Sequence, residues 1–551
     1  MEIIDQHTKR IMEGCKVRAR EEGLRFTDET LEYIVTNRDL LDLSPKYMIP
    51  TLYDYWVQDV EVLKERGRYE LYPYNPYETV INTRPPMSFY NDNNPDWLNV
   101  MIFYHVLGHV DFFQNNMLFR HTWDEDFAGE ALSDKRFIAA LRSEKGRWVD
   151  YVIEFTRGVD NLVGYHRELS DLNRPPGIGV SKRLDYYFDV FLQREKAVKL
   201  HEYLKEIGRY NEAARLYGDM AESVFFSGVR EKYPEFEALL DKYKSGKKDQ
   251  IRDVIQHLEE HAPFLQREEN RWMKPVMEIV RKTSLYFQPQ IRTKILNEGW
   301  ASYWHEKLFL QDDRIRGNEI PFARVHSKVT ALPRVGLNPY ALGMRLLSHI
   351  EEMADKGKIS HEFQKIKGLR ERAAYDRQTG KGQEFLYHVR ENFSDFMFIT
   401  TFIDQDFVDR HKLFVSGRRL NAQKGVWEYT VQSRKAEDYK KMLLESLYHP
   451  PHIRIEEKQG NGGELYLNHQ FEGKPLVREF IENTMRGIHF LWGGPVKLET
   501  SDVVEEKKPP VSFPGLFGLP AAPKEETPGS EPQYRRVLYT MENRVLNRTV
   551  L

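Results

Sequence analysis

The chain has 551 residues, which suggests two or three domains rather than one simple core. Its 81 Lys+Arg and 84 Asp+Glu leave a formal charge of −3, so bulk electrostatics favour neither nucleic acid nor an anionic membrane as a partner. The single cysteine, Cys15, excludes an intrachain disulfide and any iron–sulfur or thiolate-zinc site built within the chain, and fits a reducing compartment.

The start, MEIIDQHTKR, is charged and carries no signal-peptide apolar stretch. The first seventy residues read as helices, one of them opened by Thr27-Asp28-Glu29. Residues 72–94 are rich in Pro, Asn and Tyr and read as ordered loop with a short strand at TVIN. Residues 133–310 are mostly helical text, as in WVDYVIEFTRGVDNLVGYHREL, and 321–420 continue as mixed helix and loop, with NPYALG leading into a helix. The longest apolar run, FMFITTFI at 396–403, is far shorter than the roughly 20 residues that span a bilayer. The expectation is a soluble, cytoplasmic protein with no membrane span.

Residues 411–502 read as a small α/β module. VWEYTV alternates like a strand and KAEDYKKMLLESLYH is an amphipathic helix. HIRIEE and ELYLNHQF are strands joined across Gln459-Gly460-Asn461-Gly462-Gly463, a hairpin signal. A helix over 475–493 and a strand PVKLET complete the order β-α-β-β-α-β, the ferredoxin-like arrangement. From 503 the text becomes Pro-rich, with seven prolines in 505–533, and reads as a disordered linker. The last stretch, 534–551, is basic and amphipathic, either a docking peptide or a weakly ordered terminus. The expected division is thus a mainly helical core over 1–410, the ferredoxin-like module over 411–502, and a tail over 503–551.

Two stretches carry metal chemistry. In FYHVLGHVDFFQNN, His105 and His109 lie one helical turn apart on one face, with Cβ atoms roughly 5–6 Å apart. In NEGWASYWHE, Glu298 and His305 are seven residues apart and share a face. A helix bearing Glu298 packed on the histidine helix would give a His2Glu set, the usual donor set of a catalytic zinc with an open position. His305 would be a fourth ligand, a group behind the ligands or a substrate contact. The alternative is a buried polar network in which these side chains only satisfy one another. His166 and His326 are further candidates, and Asn115 and Asn116 would cap the helix or line the site.

Gluzincin aminopeptidases carry H-E-x-x-H on one helix and an N-E-G-[FW]-A segment on the next. HVLGH and NEGWASY look like these two, with Val106 in the place of the general-base glutamate. A valine cannot accept a proton, so a hydrolytic site would need another base, with Asp111, Glu298 and His305 as candidates.

Several long motifs in one order give a specific resemblance to the SpoVR family, the stage V sporulation protein R-like proteins. They are NPYETVINTRPP, HVLGHVDFFQNN, HAPFLQ, YFQPQIRTKILNEGWASYWHE, LNPYALG and LWGGPVKLE. The resemblance runs to about residue 500 and places His105, His109, Glu298 and His305 on the family's pattern. It implies a link to spore-cortex or cell-wall formation or to stress physiology, and partnership with a PrkA-type serine kinase and a von Willebrand A-like protein. The fold expected is α+β, a mostly helical zincin-like core followed by the ferredoxin-like module. The cofactor expected is a divalent metal, zinc first, with iron or manganese as alternatives. The function expected is metal-dependent hydrolysis of peptide or amide bonds, the alternative being a non-catalytic regulator or scaffold.

Overall fold

The computed structural model describes residues 2–27, 29–36, 78–122, 127–160, 182–196, 198, 200–246, 253–333, 335–421, 426–447, 451, 453–456, 463–471, 475–503 and 534–551. The chain divides into two compact units, Met1–Asn173 with Asp253–Leu551, and Arg174–Arg252. The smaller unit packs helices Leu200–Tyr217, Ala221–Lys232 and Phe236–Gly246 around Tyr187, Phe191, Phe225, Phe226 and Phe236. Its buried Glu206 accepts from Tyr187 Oη and Lys232 Nζ, both at 3.0 Å.

The larger unit opens with β1 (Glu2–Ile3), α1 (Gln6–Glu21), β2 (Leu31–Val35), β3 (Glu78–Ile81) and β4 (Met87–Asn91). The strands form a sheet of order β1-β2-β4-β3, in which β2 and β4 are parallel. The expected strand at TVIN is β3. The expected helix after Thr27 is instead β2, because LEYIV places β-branched and aromatic residues against β4.

Helices α2 (Asp96–Asn115), α3 (Trp148–Asp160), α4 (Met273–Arg292), α5 (Lys294–Leu310), α6 (Glu319–Val329), α7 (Pro339–Asp355) and α8 (Asp395–Phe402) follow. α2 is buried without a break from Leu98 to Phe113, as expected of a helix that is apolar on every side. It packs against α5, and α5 packs in turn against α7. Small residues permit these approaches. A Cβ on Gly108 would stand 2.8 Å from Ala301 Cα, and one on Gly299 would stand 2.4 Å from the Gly343 carbonyl carbon. The amino end of α5 is closed from a distance by Asp395, whose two carboxylate oxygens accept from the Ile295 and Leu296 N–H groups, each at 2.8 Å. This first core contains Met12, Phe103, Tyr104, Leu107, Trp300, Trp304, Leu346 and Ile350. No helix of the described residues is long and apolar enough to cross a membrane.

Past residue 411 the predicted elements are present, β6 (Val426–Ser433), α9 (Ala436–Ser446), β7 (Ile453–Glu456), β8 (Leu465–His469), α10 (Arg478–Trp492) and β9 (Val496–Val503), preceded by an unpredicted strand, β5 (Val415–Asn421). Strands β7 and β8 pair antiparallel, as the turn predicts, with Ile453 opposite His469. The ferredoxin-like arrangement is not formed, because the expected strands fall in two sheets. β6 pairs with β5 alone, and α9 buries Ala436, Tyr439 and Leu443 in the first core.

β7, β8 and β9 belong to a second core, with α3, α4 and α10. Their sheet is completed by β10 (Tyr534–Glu542) and β11 (Val545–Val550), in the order β11-β10-β9-β8-β7. The terminal peptide is therefore neither free nor weakly ordered. Val537, Tyr539 and Met541, alternating along β10, are buried in this core. The Pro-rich stretch 504–533 lies outside the described residues.

Candidate metal centre

α2 presents His105 and His109, and α5 presents Glu298, at the face where Gly108 and Ala301 let the two helices approach. The Nε2 of His109 lies 3.5 Å from Glu298 Oε2 and that of His105 lies 3.9 Å from it. The two Nε2 atoms are 3.1 Å apart. One donor atom from each of the three residues falls within 4.8 Å of the other two.

The far side of each ring is held. His109 Nδ1 is 2.9 Å from the Asn297 amide oxygen, which accepts, so the proton sits on Nδ1 and Nε2 presents a lone pair. His105 Nδ1 is 2.9 Å from His305 Nδ1, and His305 Nε2 is 2.9 Å from His326 Nδ1. His326 Nε2 lies 3.3 Å from the Glu306 carboxylate, whose side chain is 41 % exposed. For both Nε2 atoms to face a cation as lone pairs the chain must read outward, His105 donating to His305 and His305 to His326, whose Nε2 is left toward Glu306. His105 Nε2 is then also a lone pair. Two imidazole lone pairs and a carboxylate face one another, an arrangement that repels unless a cation or a proton stands among them. Glu298 Oε2 is buried without a hydrogen-bond partner among the described residues. The residues therefore fit a divalent cation that takes nitrogen and oxygen donors.

The electrostatics agree with this fit. Burial pushes His109 down to about 4 and His305 down to about 3, and takes His105 well below its ordinary value. All three rings are neutral at neutral pH, the form that ligates. Burial raises Glu298 to about 7, against the pull of Lys294 and a hydrogen bond from Tyr340.

The four expected ligands are not equivalent. His105, His109 and Glu298 converge, whereas both nitrogens of His305 are engaged by His105 and His326, one step behind. His326 takes part as a link in that chain. His166 lies outside the described residues. Asp111 is not brought to the group. It accepts from Trp300 Nε1 at 2.9 Å and the Arg25 N–H at 2.7 Å, and faces the buried Arg390 at 3.6 Å. Val106 is 1 % exposed within the first core. Asn115 and Asn116 tie the end of α2 to backbone carbonyls of Arg25 and Arg390.

Two contributors escaped the sequence reading. Asn297 carries the signal of adjacency to Glu298. Tyr340, whose ring lies 6.0 Å from that of His105, comes from LNPYALG and has no local chemical signal. A cavity of about 590 Å³ opens beside the group, with His105 and His305 in its wall and Met101, Ile102, Val329 and Leu337 among its apolar lining.

Among known protein families, the one described as SpoVR like protein matches residues 3–449. The chain belongs to the SpoVR-like family. HVLGH, NEGWASYWHE and LNPYALG all lie within the SpoVR-like match, whereas LWGGPVKLE and strands β7 to β11 lie beyond its end. The Uncharacterized protein YcgB of Escherichia coli (strain K12) is 24% identical over 492 residues, covering 85% of this chain and 86% of that protein. No solved structure matches this SpoVR-like chain.

Proposed function

We propose that the protein binds one divalent metal ion through His105, His109 and Glu298 and acts on the carbonyl of a peptide or amide substrate. The ion is zinc by donor chemistry, with iron or manganese as alternatives. The observation that carries this reading is that three ligand atoms converge where His105 also lines a cavity. A structural zinc is normally closed by four protein ligands, whereas a catalytic one keeps three and an open position. When bound, the ion would supply Lewis-acid polarisation of a carbonyl oxygen.

The chain's own residues do the rest. Asn297 and the His305–His326–Glu306 chain hold the two ligating rings in one tautomer and orientation. Tyr340 holds the Glu298 carboxyl through its hydroxyl.

Val106 favours a second reading. With no proton acceptor there, the centre would serve a non-catalytic regulator or scaffold, of the kind the family resemblance links to a PrkA-type kinase, a von Willebrand A-like protein and cell-wall physiology. Metal content of wild type, His109→Ala and Glu298→Gln tests the centre. Near one ion per chain, lost in both variants, supports it. A wild type that purifies metal-free and cannot be loaded with zinc, iron or manganese rejects it. Turnover of a peptide and amide panel by loaded wild type, absent in both variants, supports the hydrolytic reading. A loaded protein that turns over nothing supports the second.

A further inference from the structure

The cavity beside His105 is apolar in a stricter sense than its residue names suggest. Met101 and Ile102 come from the turn of α2 just before His105, Val329 ends α6, and Leu337 and Pro339 lead into α7. The polar residues in its wall are already engaged. Asn338 donates to the Val329 and Ala331 carbonyls at 2.8 and 2.9 Å and accepts from the Ala341 N–H at 3.3 Å. His305 has both nitrogens in the imidazole chain, His105 keeps only Nε2 toward the three-residue group, and the Tyr340 hydroxyl serves Glu298. No Asp, Glu, Lys or Arg of the described residues lines the cavity. The loop at its mouth adds apolar surface, with Val335 and Leu337 each 41% exposed.

A charged group placed in such a space would lose hydration and gain no charged partner from the described wall, whereas an apolar group gains by leaving water. The volume, about 590 Å³, is that of a small-molecule site. No described residue of this wall is a carboxylate that would hold a free amine next to the reacting carbonyl, as an aminopeptidase requires.

We infer that the cavity takes an uncharged aliphatic chain, an acyl group or an aliphatic side chain attached to the reacting carbonyl, and discriminates against a cationic amine there. The inference rests on the proposed carbonyl chemistry for its orientation, but the cavity's preference can be measured without the metal.

The test is calorimetric binding of butanamide, hexanamide, octanamide and 6-aminohexanamide to the full-length protein, both metal-loaded and chelator-stripped. Affinity should rise about fourfold per methylene, the increment expected for a buried CH2. The cationic 6-aminohexanamide should bind at least about tenfold more weakly than hexanamide. Ala331→Phe, which projects a ring into the cavity from an exposed loop position, should flatten the chain-length series. Val329→Phe is the second such variant should the first not fold.

An affinity independent of chain length, or 6-aminohexanamide binding as tightly as hexanamide, overturns the inference. So does an unchanged series in a folded Phe variant. If the series holds in a protein that takes no metal, the metal reading fails and the cavity assignment stands. If metal binds at one ion per chain and the series is flat, the reverse is true.

Discussion

His109 and Asn297 are 188 positions apart, yet His109 Nδ1 lies 2.9 Å from the Asn297 amide oxygen, beside the residue that supplies the carboxylate. One turn of α5 thus provides both a proposed ligand and the group that orients a proposed ligand on the neighbouring helix. Replacing Asn297 with Ala removes the orienting acceptor and leaves all three ligands. We expect metal affinity, measured by competition with a chelator, to fall by about 10–100-fold. An unchanged dissociation constant would show that Asn297 only packs.

The imidazole chain makes a spectroscopic prediction. In metal-loaded wild type, nitrogen-15 spectra should show His105 and His109 protonated on Nδ1 and unprotonated on Nε2, as ligation through Nε2 requires. In His326→Ala, His305 loses its acceptor and His105 should populate the other tautomer. A single unchanged tautomer at His105 in the variant would mean that His326 does not set it.

The helix contacts should tolerate little. Gly299→Ala places a methyl 2.4 Å from the Gly343 carbonyl carbon, and Gly108→Ala places one 2.8 Å from Ala301 Cα. Each should cost about 1–3 kcal/mol of stability and lower metal occupancy, since Gly108→Ala forces α2 and α5 apart and Gly299→Ala displaces α5, which carries Glu298, from α7. Denaturant unfolding together with metal analysis measures both effects. Wild-type stability in either variant would contradict the packing described.

Removal of residues 534–551 should destabilise the protein. It strips a paired strand from β9 and uncovers the second core where Val537, Tyr539 and Met541 are buried, at roughly 1.5–3 kcal/mol for each large apolar side chain. A melting temperature within about two degrees of wild type would show that the strand contributes nothing to the fold.

Glu259, in the helix Val254–His261, has one carboxyl oxygen with no hydrogen-bond partner among the described residues, and burial first, then Glu278, hold its pKa above the ordinary 4.5. A raised folded-state pKa means that the folded protein keeps a proton which the unfolded chain releases, so stability falls as pH rises above the unfolded value. Wild type should be less stable at about pH 8 than at about pH 5 on this account, and Glu259→Gln should flatten that loss. Parallel unfolding curves at the two pH values in both proteins would remove Glu259 as a cause.

The residues by themselves indicated most local elements, though not strands β2, β5, β10 and β11, and the candidate donor set. Helical spacing put His105 and His109 on one face, and the NEGWASY text marked Glu298. The alternation of HIRIEE and ELYLNHQF around a Gly-rich turn predicted the β7–β8 pair, because such patterns act over a few residues, where backbone geometry fixes side-chain direction. Which elements share a sheet or a core was decided only by tertiary structure. β6 and α9 follow the strand and helix pattern of a ferredoxin-like module, yet α9 buries its apolar face against helices of the first core, and β10 from the far terminus takes its place beside β9. Local propensity is the same in either arrangement, so burial of long-range apolar surface makes the choice. The site divides in the same way. Its candidate ligands could be read from spacing, but the place of His305 as a link behind His105, the diversion of Asp111 to Trp300 and Arg390, and the arrival of Tyr340 depend on contacts between residues far apart in the chain. Those contacts exist because Gly108, Gly299 and Gly343 let three helices close to a distance at which short side chains meet.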